Sequence, residues 1–125
     1  MTPTVATFPA ARLRRMRKSP AMRALSRQNT LTVDDLIWPV FVRSGEGIEE
    51  PVPSMPGVFR RSVDKVVDAA REAADLGIGA MCIFPYTGVE DRTEDCEGAW
   101  DPENNANRAI RAIRDAVPEM VIMTD

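Results

Sequence analysis

The feature that most restricts this chain is an alternation. Three apolar runs, "LIWPVFV" at 36–42, "IGAMCIFP" at 78–85 and "MVIMTD" at 120–125, are separated by two segments whose apolar residues recur at helical spacing. The runs are short, continuous and rich in β-branched or aromatic residues, as in strands buried on both faces. Buried strands that alternate with amphipathic helices make parallel βαβ units with right-handed crossovers. The fold class is therefore α/β. Three strands leave one edge bare, and the last has no covering helix. The chain thus reads as the first part of a larger α/β protein, with a β/α barrel as one candidate.

The helices are legible in detail. In "RSVDKVVDAAREAADLG", Ser62 is the N-cap and Asp64 suits the positive helix start. Val63, Val66, Val67, Ala70, Ala73 and Ala74 form its stripe, and Gly77 is placed to end it. In "DPENNANRAIRAIRDAV", Asp101 caps, Pro102 takes the first position, and Ala106, Ala109, Ile110, Ile113 and Val117 form the stripe. Thr32 and Asp35 fit one capped turn before the first strand. Pro39 lacks an N–H, so a local gap in pairing is expected there. "RSGEGIEEPVPSMPG" reads as a loop.

Charge divides the chain in two. Residues 1–30 hold seven basic side chains and no acid, whereas the remaining 95 hold 9 basic and 19 acidic ones. We therefore separate a basic N-terminal arm, 1–30, from a partial β/α barrel, 31–125. Residues 1–11 read as disordered. "RLRRMRKSPAMRALSRQ" reads as a short helix broken at Ser19-Pro20. The arm would bind nucleic acid or dock on the acidic body of a neighbouring copy. It has no interleaved aromatics, which argues against nucleic acid.

Several chemistries drop out. The chain has no histidine, so neither a Cys/His zinc centre nor a histidine triad can form within it. Cys82 reads as a core residue, and Cys96 sits in an acidic loop where a thiolate is disfavoured. No run is long enough to span a membrane, and the start has no apolar signal-peptide region, so cytoplasm is the default location. Glu90, Asp91, Glu94, Asp95 and Glu97 match no calcium-loop spacing and read as a solvated lid. Lys18 and Lys65 are the only lysines, and neither is at a strand end.

Ligands in parallel α/β folds gather at strand C-terminal ends. Here those ends are Arg43-Ser44, Pro85-Tyr86-Thr87 and Thr124-Asp125, expected on one rim. Asp125 is the best candidate for chemistry; the alternative is an Asp that merely caps a following helix.

Four stretches, "RLRRMRKSPAMRALSRQNTLTVDDLIWPVFV", "PVPSMPGVFRRSV", "AADLGIGAMCIFP" and "DPENNANRAIRAIRDAVPEMVIMTD", together resemble the N-terminal portion of the porphobilinogen synthase (δ-aminolevulinic acid dehydratase) family. The resemblance runs from about Arg12 to Asp125. It implies an arm followed by a TIM (β/α)8 barrel, of which this chain would hold the first three βα units and stop after the third strand. It also implies condensation of two 5-aminolevulinate molecules to porphobilinogen, on the way to haem, through Schiff-base lysines. A homo-octamer held by the arms and a requirement for magnesium or zinc are implied too. Both family lysines, the metal ligands and the carboxylate-binding basic residues lie beyond residue 125. Asp125 alone matches a family active-site position, so this chain by itself is expected to be inactive. The rival from another class is a small non-catalytic interaction module with a basic arm.

Overall fold

The computed structural model describes residues 6–125. It divides into two compact units, Met1–Leu31 and Thr32–Asp125. In the first, a 3-10 turn at Arg15–Arg17 precedes helix α1, Pro20–Leu25. Ser19 caps α1, its Oγ accepting the Met22 N–H at 3.2 Å. Pro20 thus starts the helix and does not break it, because a first-turn N–H has no intrahelical partner to lose. The expectation of disorder over 1–11 falls partly on residues 1–5, which lie outside the described residues. Among the described residues no helix is long and apolar enough to cross a membrane.

The second unit is a five-stranded sheet in the order β2-β3-β1-β4-β5. The expected strands are β1 (Ile37–Val42), β4 (Ala80–Pro85) and β5 (Val121–Thr124), parallel and adjacent. Helices α2 (Val63–Asp75) and α3 (Asn105–Ala116) make the crossovers. The hairpin β2 (Glu49–Pro51) and β3 (Phe59–Arg61) replaces the expected loop. β3 runs parallel beside β1 only at Phe41 and Val42.

Both helices pack on the same face of the sheet. Val40 and Val42 of β1 and Met81 and Ile83 of β4 are fully buried in one cluster with Val66, Ala69, Ala70 and Ala73 of α2 and Ala109 and Ile113 of α3. A doubly wound sheet would divide its helices between two faces; a barrel keeps them all outside. The other face is bare, and Ile37, Val121 and Met123 are 51%, 59% and 38% exposed on it.

Local details correct the sequence reading at several points. The α3 helix starts at Asn104, whose side chain accepts the Asn107 N–H at 2.8 Å, while Asp101 closes the preceding turn by accepting from the Glu103 N–H at 2.9 Å. Asn is as good a cap as Asp, and only position 104 lies at the right phase for the buried stripe. On α2, Ala69 is buried where Ala74 was expected, and Ala74 is exposed. Gly77, at φ 83°, donates to Ala74 O, and Ile78 donates to Ala73 O, closing the helix in a Schellman motif. The Asp35 carboxylate accepts both the N–H and the hydroxyl of Thr32, at 2.7 and 3.0 Å, as expected of a capped turn.

Pro39 leaves the β1–β4 ladder continuous from Ile37 to Val42. Arg43 gives its N–H to Arg61 O, on the β3 side, at 2.9 Å. Strand N–H groups alternate sides, so Pro39 faces that side too, below the point where β3 pairs. The gap therefore lies on the β3 flank, next to a groove of about 320 Å³ lined by Trp38, Phe41, Met55, Phe59 and Phe84.

Ile113 is a direct test of this packing, since it is fully buried between helix and sheet. In the full-length protein, Ile113→Ala is expected to cost about 2–5 kcal/mol. The check is the denaturant midpoint at constant m-value. A loss below about 0.5 kcal/mol, the range of surface changes, would contradict the seat assigned to α3.

Candidate functional site

The parallel register of β1, β4 and β5 sets their C-terminal ends along one edge. It also sorts their side chains by face, since residues in register share a face and residues two apart return to it. Phe41 stands between Arg60 and Phe84, and Glu50 stands opposite Arg60. Cys82 stands beside Met123. Arg43 and Tyr86 continue this face beyond Phe41 and Phe84, and Asp125 continues it beyond Met123. The helix-free face of the sheet, where a barrel has its interior, therefore carries Arg43, Glu50, Arg60, Tyr86 and Asp125 at its rim. Cys82 is half-buried on this face and not in the core expected for it, because β-alternation gives the core positions to Met81 and Ile83.

Asp125 is exposed, and its N–H extends the β4–β5 ladder to Ile83 O at 3.4 Å. The Arg43-Ser44 and Tyr86 ends meet more closely. Tyr86 donates its N–H to Val42 O at 2.6 Å. Glu50 ion-pairs with Arg43 through Oε2 and with Arg60 through Oε1, the latter at 2.9 Å. The Arg60 guanidinium lies over the Tyr86 ring, 4.3 Å from its centroid. Phe41 and Phe84 pack below at 5.8 Å between centroids. On the opposite face Arg61 pairs with Glu49 at 2.7 Å and leans toward the Trp38 ring.

Glu50 and Arg60 escaped the sequence reading because they lie in three-residue strands. A signal was present: "EE" and "RR" flank a turn rich in proline and glycine, placing opposite charges across a hairpin. The hairpin is then tied to α2. The buried Ser62 hydroxyl accepts the Ile48 N–H at 2.9 Å, and the Gly47 N–H reaches the Asp64 carboxylate at 3.1 Å. Hydrogen bonding from Ser62, then from Gly47, holds the Asp64 carboxyl below the usual carboxylate range against slight desolvation. Ser62 sits at the N-cap position of α2, but its hydroxyl bonds the hairpin and makes no side-chain cap to the helix backbone.

The acidic loop after β4 forms 3-10 turns at Val89–Asp91 and Glu97–Ala99. Asp91, Glu94, Asp95 and Glu97 are exposed, and Cys96 sits there in the left-handed region at φ 52°. Among the described residues no three Asp, Glu, Cys or His side chains converge as metal ligands.

A sheet whose β1, β4 and β5 strands are parallel, with α2 and α3 on one face and charged and aromatic side chains at the strand C-terminal ends of the other, has the architecture of part of a β/α barrel. The family model for delta-aminolevulinic acid dehydratase matches residues 10–125, and the chain belongs to that family. It is 46% identical to the delta-aminolevulinic acid dehydratase of Rhodobacter capsulatus over 125 residues, covering 100% of this chain and 38% of the relative. It is 45% identical to that of Synechocystis over 118 residues, covering 94% and 36%. A crystal structure of the Toxoplasma gondii ME49 enzyme, in complex with the reaction product porphobilinogen, superposes with a TM-score of 0.81 at 36% identity, over 92% of this chain and 32% of that one. The chain therefore spans about a third of the length of these relatives.

Proposed function

We propose that the protein to which this chain belongs is a porphobilinogen synthase, joining two molecules of 5-aminolevulinate into porphobilinogen in tetrapyrrole synthesis. The match of the dehydratase family over residues 10–125 carries this reading. The likeness to a product-bound synthase at TM-score 0.81 supports it. This chain contributes the first parallel strands of the barrel and their rim. Asp125 is the one family active-site position it holds. The Schiff-base lysines and the ligands for magnesium or zinc belong to the sequence that follows in the family. A cytoplasmic location goes with this reading. The test is to express the full-length gene product and supply 5-aminolevulinate. Formation of the pyrrole, read by its colour with p-dimethylaminobenzaldehyde, is expected; its absence with metal supplied would refute the assignment.

The basic arm is part of the same proposal. Seven cations with no acid beside them are complementary to a body with 19 acidic side chains. Such complementarity fixes orientation and specificity between copies more than raw affinity. Removing residues 1–30 from the full-length protein is expected to lower its oligomeric state in sedimentation. An unchanged assembly, or DNA binding with a steep salt slope, would contradict the role given to the arm.

A further inference from the structure

We propose that the β2–β3 hairpin is a strut that fixes the long connection 86–104 at the strand-end rim, with Arg60 as the positioning residue and the Tyr86 ring as the point it acts on. That connection leaves β4 after Pro85 and reaches α3 at Asn105, with only 3-10 turns inside it. Connections of such length are uncommon in compact domains and are usually functional. Between Thr87 and Trp100 the hydrogen bonds found among the described residues stay inside the connection. Arg92 donates to Thr87 O, the Glu97 N–H to Thr93 Oγ1, and Asn104 Nδ2 to Ala99 O. Its large apolar side chains, Val89 and Trp100, are exposed and give it no core of its own. Its course is therefore set at its two ends. One is the start of α3; the other is Tyr86.

Tyr86 is held twice. Its N–H goes to Val42 O at 2.6 Å, and the Arg60 guanidinium lies over its ring, 4.3 Å from the centroid. A flat guanidinium suits a ring face, and the attraction grows where water is partly excluded; the Arg60 side chain is 23% exposed. The hairpin decides where that guanidinium stands. Glu50, opposite Arg60 across the strand pair, binds it through Oε1 and binds Arg43 through Oε2. A partly exposed ion pair adds little to stability, but one carboxylate shared by two arginines restricts where each can point. The hairpin is anchored in turn. The chain leaves β1 through Gly45 and Gly47, at φ 117° and 65°, and the buried Ser62 closes the base by giving its N–H to Ile48 O at 3.0 Å. The strut thus runs from the start of α2, past the end of β1, to the first residue of the connection after β4.

The proposal rests on the synthase reading for its effect on the reaction, but the strut itself is tested without turnover. The readout is the rate at which trypsin cuts after Arg92, an exposed residue inside the connection, in the native full-length protein, followed by peptide mass. Such cleavage tracks the population in which the segment is open. Arg60→Gln is expected to speed it about three- to tenfold, the factor of a partly shielded cation–π contact. Tyr86→Leu is expected to do the same, whereas Tyr86→Phe keeps the ring and the slow cut. Arg60→Lys keeps the charge without the flat face and should fall between. With 5-aminolevulinate, Arg60→Gln is expected to raise KM by a similar factor while kcat falls less, since the residue places the rim and does not react. An unchanged cleavage rate in Arg60→Gln overturns the proposal. So does a Tyr86→Phe protein cut as fast as Tyr86→Leu, or a loss confined to kcat with KM unmoved. The expected cleavage pattern in a protein that makes no porphobilinogen would instead count against the synthase reading and leave the strut in place. Near-UV circular dichroism checks the fold of each variant, and the contrast between Tyr86→Phe and Tyr86→Leu decides if Arg60→Gln is unfolded.

Discussion

Incubated alone with 5-aminolevulinate, the 125-residue chain is expected to make no porphobilinogen, and borohydride is expected to trap no stoichiometric adduct on it. The reason is the position of its two lysines. An imine needs an amine that is free of its proton, in a dry pocket and within reach of the ketone. Lys65 stands on α2, in the layer of helices, 40% exposed and 3.7 Å from the Asp68 carboxylate. Lys18 is exposed in the arm at the end of the Arg15–Arg17 turn, among arginines. Lys65 thus stands on the opposite side of the sheet from the open face on which Arg60, Tyr86 and Asp125 lie. The expected effect is total loss relative to a synthase. Intact-mass analysis after trapping decides the matter, and a single adduct on Lys18 or Lys65 together with product would overturn it.

The parts of this fold that could be read from sequence are those whose residues repeat a period long enough to count. The α2 and α3 stripes return every three or four residues over 12 or 13 positions, and both helices are present. The three apolar runs are all strands, because a segment apolar on both faces has few other places to go. Errors arose where tertiary pairing decides. The β2 and β3 strands have three residues each and exist because each finds a partner across the sheet. Their sequences, "EEP" and "FRR", have no alternation to detect. The choice between Asp101 and Asn104 as the cap of α3 depended on which phase the sheet would bury, and both residues are good caps. Ala69 and Ala74 are chemically identical, so only the direction in which α2 faces the sheet could separate them.

The rim was legible to the same extent. Arg43, Tyr86 and Asp125 follow from a rule about strand ends, and the parallel register puts those ends on one edge. Glu50 and Arg60 do not follow from it, since they enter through the hairpin. The cluster they complete depends on a pairing between residues ten positions apart, which no local pattern encodes.

The isolated chain is also expected to show no single sharp unfolding transition. Its core is real but thin. Among the fully buried side chains only Met81, Ile83, Ile113, Val42 and Val66 are large and apolar, and the rest of the helix contribution is mostly alanine. Ordering each residue costs about 1–2 kcal/mol, which burial must exceed over the whole chain to leave a stability of even about 5 kcal/mol. The helix-free sheet face contributes little to that balance, with Ile37, Val121 and Met123 between 38% and 59% exposed. Among the described residues the edge of β1 below Phe41 has no strand partner on the β3 side, and β5 is paired only with β4. Bare, apolar, β-rich edges recruit other chains. Heating the purified 125-residue chain should therefore give a broad near-UV change, or association in sedimentation, while far-UV helix signal persists. The same segment inside the full-length protein should melt with the whole barrel, because neighbouring strands then cover the open face. A monomer with one steep near-UV transition would show that the α2–α3 layer alone suffices to order the sheet, and would remove the energetic argument for a covered inner face.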